Sequence, residues 1–503
     1  MQTTHHESVW LATSETPGYA ALDRPLDVDV AVLGAGIAGL TTALLLKNAG
    51  VRVAVLEAGR VGGGVTGHTT AKVTAQHGLI YDTLRSSFGA DGARAYAEAN
   101  LAAVDVMERI VREHHIDCAW DRRPSYVYTE QASQVSQLEQ EVEAARAAGL
   151  PATYTEETEL PWPVRAAVRF DDQAQFHPHS YCLALARAVD GDGSQVFEHT
   201  RALDVADGSP CVVQTETHDV RAAYVVLATH LPFLDQGGFF ARCHPEREYA
   251  MAVALEGTVP RGMYISAEQP SRSVRQHPFD DGELLILAGE SHKTGQDDDT
   301  EARFDALAAF AHERFEVRGI DFRWSTQDYM PVDRVPFIGP LRRGTDRLYV
   351  ATAFQKWGMT NGTAAGIVLA DRILGRDNAW SALFDPARIT PRASAKEFVK
   401  ENVNVARRFV QDRVTQRSGI DPDELAPGEG AVVRDGLRQV AVSRAGDGTL
   451  QRVSARCTHM GCIVRWNPAE RSWDCPCHGS RFAADGAVLE GPAVDRLEPE
   501  SGA

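Results

Sequence analysis

Asp29-Val30-Ala31-Val32-Leu33-Gly34-Ala35-Gly36-Ile37-Ala38-Gly39 is the stretch on which the reading of most of this chain turns. Five residues that suit a buried strand run straight into a Gly-x-Gly-x-x-Gly turn, and the apolar spacing of Leu40 to Asn48 then reads as a helix. Such a strand, tight turn and helix N-terminus bring backbone N–H groups and a positive helix end to a pyrophosphate. A second strand, Val51 to Leu56, ends at Glu57, about 20 residues after the glycines, where a carboxylate can accept the hydroxyls of an adenosine ribose. Gly34, Gly36, Ile37, Ala38, Gly39 and Glu57 are therefore expected to bind a dinucleotide.

The residues after Glu57 favour FAD over NAD. The loop Gly59 to Lys72 is rich in glycine and hydroxyls, and its Thr66, Gly67, His68, Thr69 and Thr70 suit an extended pyrophosphate and ribityl chain. Far downstream, Asp333-Arg334-Val335-Pro336-Phe337-Ile338-Gly339-Pro340 precedes a strand at Leu348 to Thr352 and the turn Phe354-Gln355-Lys356-Trp357-Gly358-Met359-Thr360. A strand feeding such a turn sets a second helix N-terminus near an isoalloxazine, where it can stabilise negative charge on the reduced ring. Gly339, Lys356, Trp357, Gly358, Met359 and Thr360 join the expected cofactor set.

These blocks resemble the D-amino acid oxidase and glycine oxidase family of FAD-dependent oxidoreductases. The resemblance implies residues 26–385 as an α/β Rossmann-like FAD-binding domain (about 26–100, 165–235 and 330–385) interleaved with an antiparallel-sheet substrate domain of α+β type (mainly 101–164 and 236–329). It further implies oxidation of a carbon–nitrogen bond in a small amine or amino acid. The family usually has a small residue, His and Gly where this chain has Lys356-Trp357-Gly358. Lys356 sits where it would either place a cation near the flavin ring or point to solvent, and Trp357 is expected to wall the pocket. His292, Tyr329 and Tyr249 are further candidates for substrate contact, with His292, Tyr329, Lys356 and Trp357 forming the expected catalytic set.

The last part of the chain carries different chemistry. Cys457-Thr458-His459-Met460-Gly461-Cys462 and Cys475-Pro476-Cys477-His478-Gly479-Ser480 each offer one thiolate and one imidazole, from Cys457 and His459 and from Cys475 and His478. That suits a [2Fe-2S] centre with two histidines on one iron. Zinc also takes two cysteines and two histidines, but zinc fingers space them as Cys-x2-4-Cys and His-x3-5-His. The pattern resembles the disulfide-containing branch of the Rieske family, which implies a small all-β domain at 423–503 and a disulfide between Cys462 and Cys477. Ser480 matches the family's serine, whose hydroxyl can raise the cluster potential, whereas Phe482 stands where high-potential members carry Tyr. A potential in the lower or middle part of the broad Rieske range, roughly −150 to +300 mV, is expected. A Rieske oxygenase would need a second iron on two histidines and a carboxylate; His114-His115 and His177-Pro178-His179 are only tight pairs.

The 503 residues, 44% hydrophobic and 24% charged, allow two or three ordinary globular domains. A net charge of −18 argues against nucleic acid or anionic membranes as partners. Residues 1–26 lack the apolar run of a signal peptide and no stretch of about 18 apolar residues occurs, so a cytoplasmic location without a membrane span is the expectation. Cys118, Cys182, Cys211 and Cys243 read as reduced, scattered thiols. Between the two units, a linker at 386–422 is expected to hold a helix whose apolar face, Phe398, Val399, Val403, Phe409, Val410 and Val414, docks on the flavin domain.

Three functions fit these parts. In the first, a dehydrogenase passes electrons from FAD to the Rieske cluster, whose histidine edge hands them to an external carrier or quinone. In the second, electrons enter through the cluster to drive a reductive or oxygen-using flavin reaction. In the third, the chain is a non-catalytic redox sensor or electron carrier.

Overall fold

The strand Leu26–Leu33 is the centre of an eight-stranded sheet, flanked in parallel by Val53–Leu56 on one side and Val220–Leu227 on the other. Its last four residues are fully buried, as expected of a parallel strand covered on both faces. Gln195–Phe197 and Leu348–Thr352 extend the parallel core outward. Phe337–Pro340 adds an antiparallel edge at one end. The structure, a computed structural model, describes residues 4–415 and 421–500 apart from Pro17 and Leu437.

The helix Ile37–Asn48 lies across this sheet, and the helix Gly358–Ile373 packs directly against it. Their approach is close because a Cβ on Gly362 would stand 2.9 Å from Ile37 Cγ2, and one on Gly366 would stand 2.7 Å from Thr41 Cγ2. Two helix N-termini thereby converge on one edge of the parallel sheet.

A second sheet of nine strands stands beside the first. Its order runs from Val317–Pro331 through Cys243–Leu255, Gly282–Lys293, Arg272–Phe279, Met263–Ser266, Asp121–Thr129 and Ala166–Gln175 to Lys72–Val73, with Ala152–Thr155 also on Ala166–Gln175. It is antiparallel except where Met263–Ser266 runs parallel to Asp121–Thr129. The expected boundaries shift in two places. Lys72–Val73 and Ala166–Gln175 belong to this sheet rather than to the nucleotide part, because the first pairs with the second and the second with Asp121–Thr129.

The C-terminal unit comprises a three-stranded sheet over 430–454 and a four-stranded sheet over 465–490, all antiparallel. The linker helix is Pro391–Thr415. It docks on the flavin domain and the C-terminal core by a face rotated away from Val399, Val403 and Val410, with Phe398 and Phe409 at its margin. Glu401 is buried against Lys293, Val405 packs on the C-terminal core, and Asn402 Nδ2 donates to Ala241 O at 2.9 Å. Phe398, Val399, Val403, Phe409 and Val410 are instead exposed by 38% to 62%, and the side chain of Val414 lies outside the described residues. Apolar periodicity identified the helix, but the polar pairs of Glu401 and Asn402 decided its rotation. Among the described residues no helix is long and apolar enough to cross a membrane.

Candidate functional site: one cavity, two cofactors

A cavity of about 730 Å³ opens where the two helix N-termini meet the second sheet. At one end, Gly34 and Gly36 face it with Ile37 and Ala38. Gly34 has φ +104°, and a Cβ there would stand 2.6 Å from Ala228 O; on Gly39 it would stand 2.0 Å from Gly34 O. Gly34 thus leaves the cradle open, while Gly39 serves close helix–strand packing and does not line the cavity. Glu57 accepts from Ala35 N and Gly59 N, each at 2.8 Å, so its carboxylate is fixed at the cavity edge. Thr66 Oγ1 accepts from Ile37 N at 3.2 Å, and Thr66, His68, Thr69 and Thr70 all line the cavity. Gly67 turns away, against Gly62 O and Leu11. The N-terminal helix Val9–Ala12 completes this side: Trp10 Nε1 donates to Thr69 O at 2.6 Å.

At the other end stands the turn before Gly358. Gln355 and Lys356 have φ of +44° and +70°, a left-handed conformation costly for residues with side chains. Gln355 N donates to Tyr329 O at 3.2 Å, and Asp328 Oδ2 accepts from Lys356 N, which holds the strained pair. Gly358, Met359 and Lys356 line the cavity. Trp357 instead stacks on His77, with centroids 4.9 Å apart, and Thr360 Oγ1 donates to Thr74 O at 2.9 Å; neither is part of the cavity wall. Gly339 lies outside it too, against Pro386.

Lys356 points neither to solvent nor to the helix end. Its Nζ donates to Ser291 Oγ at 2.6 Å and lies 3.1 Å from Glu246 and 3.7 Å from Glu248. Burial alone would lower its pKa, yet Glu248 and Glu246 hold it above the ordinary lysine value. Burial likewise opposes ionisation of Glu246, but hydrogen bonding from His244 and the charge of Lys356 bring its pKa down to about 2. Glu246, Glu248 and Ala250 line the cavity from one strand, and Thr326 and Asp328 from its neighbour. A β-bulge opposite Glu248, with Glu290 at φ +58°, brings Ser291 within reach of Lys356.

Tyr249, an expected substrate contact, also lines the cavity, whereas the odd-numbered Arg247, Gln327 and Tyr329 of the same two strands meet the C-terminal unit. Tyr329 is fully buried, and its hydroxyl donates to His478 O at 2.9 Å and Gly491 O at 3.3 Å. Gln327 Nε2 donates to Gly479 O at 2.9 Å, and Gln296 Nε2 to Pro476 O at 3.0 Å. Arg247, 1% exposed, lies 3.6 Å from Glu470 and 3.9 Å from Glu490, beside the Arg481–Asp474 pair at 3.0 Å. Tyr329 thus supports a loop of the other domain and lies outside the cavity wall. His292 is likewise absent from that wall, and its Nε2 meets Tyr249 Oη at 2.9 Å. Residues 488–492 and Val494 of the C-terminal unit complete the cavity wall.

In that unit, Cys457 and Cys475 are buried free thiols in mutual contact, and Cys462 and Cys477 form a disulfide. The Sγ atoms of Cys462, Cys475 and Cys477 lie within 4.8 Å of one another. The His459 and His478 rings stand 5.1 Å apart. Nδ1 of His459 is buried without a hydrogen-bond partner, while its Nε2 lies 3.2 Å from Asp235 Oδ1. Two thiols, an imidazole with one nitrogen held and the other free, and a second imidazole fit a cluster with two histidines on one iron. One expectation is overturned. The histidine edge does not face outward, because both rings pack edge-on against Phe240 and His459 pairs with Asp235, so the edge is turned into the flavin domain. Sequence reasoning also missed Arg247, Gln327, Glu246 and Glu248, whose only signal is strand alternation, and Asp235, in the short helical turn Asp235–Gly237, which carries none.

The fold and site define a flavoprotein fused to an iron–sulfur domain. Residues 29–372 match the profile described as FAD dependent oxidoreductase, and residues 420–499 that of the Rieske [2Fe-2S] domain. The chain belongs to the FAD dependent oxidoreductase family, and binds FAD and a Rieske [2Fe-2S] cluster. It is 37% identical to the Rieske 2Fe-2S iron-sulfur protein YhfW of Bacillus subtilis, over 98% of this chain and 97% of that one. Gamma-glutamylputrescine oxidoreductase of Escherichia coli is 24% identical over 75% of this chain and 92% of its own length. The crystal structure of glycine oxidase from Geobacillus kaustophilus superposes with a TM-score of 0.60 at 19% identity, covering 72% of this chain and 99% of that one.

Proposed function

We propose that this oxidoreductase removes two electrons from a carbon–nitrogen bond of a small amine or amino acid and passes them singly, within one chain, through the Rieske cluster to an external one-electron carrier or quinone. When bound, FAD supplies the two-electron acceptor and the cluster a one-electron relay. The observation that supports this most is the shared wall: residues 488–492 of the Rieske domain line the flavin cavity, and Tyr329, on a strand of that wall, bonds the carbonyl of the cluster ligand His478.

The chain's own residues carry the remaining tasks. Asp328 holds the strained Lys356 turn, whereas Glu246, Glu248 and Lys356 set the charge of the pocket. Gln327 and Tyr329 fix the second cluster loop. With the histidine edge covered, the exposed Thr458 and Met460 of the first loop offer the outward route. The test is an anaerobic titration of FAD- and cluster-loaded protein with amines and amino acids, following flavin absorbance and the Rieske EPR signal. Flavin bleaching followed by cluster reduction is expected; a cluster that stays oxidised while air restores the flavin would sink the relay.

A further inference from the structure

The charged residues of the cavity are unevenly divided along its length. Glu57 and Gly34–Ala38 fix where the adenosine and pyrophosphate of a dinucleotide lie, so the flavin ring reaches toward Gly358, Met359 and the second-sheet wall. The arginines among the described lining residues, Arg60 and Arg201, belong to the adenosine end: Arg60 adjoins Gly59, and the charge of Arg201 acts on Glu57. Toward the ring end the described wall carries the carboxylates of Glu246, Glu248 and Asp328, besides Glu490, which Arg247 and Arg481 hold, against the ammonium of Lys356. Asp328 is engaged by His230 Nε2 at 3.1 Å and by the Lys356 backbone, while Glu246 holds Lys356 more closely than Glu248 does.

A substrate carboxylate would need a guanidinium or an unpaired ammonium here, since carboxylates are bound by charge-assisted hydrogen bonds. Lys356 is already committed to Glu246 and Ser291. A cation, in contrast, finds Glu248, which is 15% exposed and 3.7 Å from its present partner.

Resting on the amine-oxidation reading, we infer that the ring-end pocket takes an aliphatic diamine or polyamine, bound by Glu248 through an ammonium remote from the reacting nitrogen. At the reacting end the neutral amine gives up its α C–H bond as hydride and one N–H proton to form the imine. Both electrons go to the bound flavin and thence to the external one-electron acceptor. Water then adds to the C=N bond, releasing an aldehyde and ammonia or a shorter amine.

The experiment uses the loaded protein without air, with a bis-quaternary ammonium ion and glutarate as unreactive probes that perturb the flavin absorbance. The dication is expected to bind and glutarate not. Glu248→Gln should weaken the dication about tenfold or more, because the quaternary nitrogen loses the opposite charge it faces in a half-buried pocket. Lys356→Met should strengthen it, since a competing cation is removed; a folding defect would weaken both variants alike. Tighter binding of glutarate, no binding of the dication, or equal affinity in Glu248→Gln overturns the inference. With diaminobutane and glycine as reactants, faster bleaching by glycine overturns it while leaving amine oxidation standing. If the dication binds as expected and no amine bleaches the flavin, the charge preference stands and the oxidation reading falls.

Discussion

The two faces of the strand Cys243–Leu255 belong to different cofactors. Its even positions, Glu246, Glu248 and Ala250, look into the flavin cavity, whereas Pro245 and Arg247 press on the Rieske domain against Gly479, Glu470 and Glu490. The neighbouring strand Val317–Pro331 repeats the division, with Thr326 and Asp328 on one side and Ser325, Gln327 and Tyr329 on the other. A strand's period of two lets one layer serve two sites, although Tyr249 also reaches the cavity wall. The sheet layer carries the cavity wall on one face and the Rieske contacts on the other, while residues 488–492 of the Rieske domain reach the cavity directly.

The largest effect expected is on the relay alone. Cys475→Ser should abolish the Rieske EPR signal and all substrate-driven cluster reduction, while flavin bleaching persists. A variant that also lost its flavin would contradict the separation of the two faces. Next comes Arg247→Met. Removing one member of a buried charge network leaves Glu470 and Glu490 undercompensated, which costs about 3 kcal/mol. Denaturant unfolding followed by circular dichroism measures the loss, and the flavin spectrum should stay unchanged because Arg247 faces away from the cavity.

The even face responds to acid. Glu246 is held at about 2, below its ordinary 4.5, so its contribution to stability is complete above pH 4.5 and lost as pH falls from there toward 2. Glu246→Gln should flatten the stability profile in that window, and an unchanged profile would remove the Lys356–Glu246 pair from the account. The smallest effect belongs to Tyr329→Phe. Loss of one buried hydroxyl bond to His478 O should cost about 1 kcal/mol. It should also shift the cluster's midpoint potential by film voltammetry and slow flavin-to-cluster transfer by stopped flow, with substrate affinity unaltered.

Local order along the chain determined much of this protein. The run Val30 to Gly39, Glu57 and the two Cys/His loops specify their chemistry through contacts a few residues apart, so strand, turn, helix and ligand loops were legible. Helix Pro391–Thr415 was legible as a helix for the same reason, but its rotation was not, because Glu401 meeting Lys293 and Asn402 meeting Ala241 outweigh its apolar stripe. Trp357, His292 and Tyr329 show the same limit: their types suited a pocket, yet His77, Tyr249 and His478 claimed them. Only the tertiary structure decided that the cluster's histidines face Asp235 and Phe240 in the same chain and that Glu246 and Glu248 flank Lys356. Which face of a strand meets which partner depends on sheet pairing across long separations, as when Glu246 pairs with Lys293 and Asp328, and no short-range spacing encodes it.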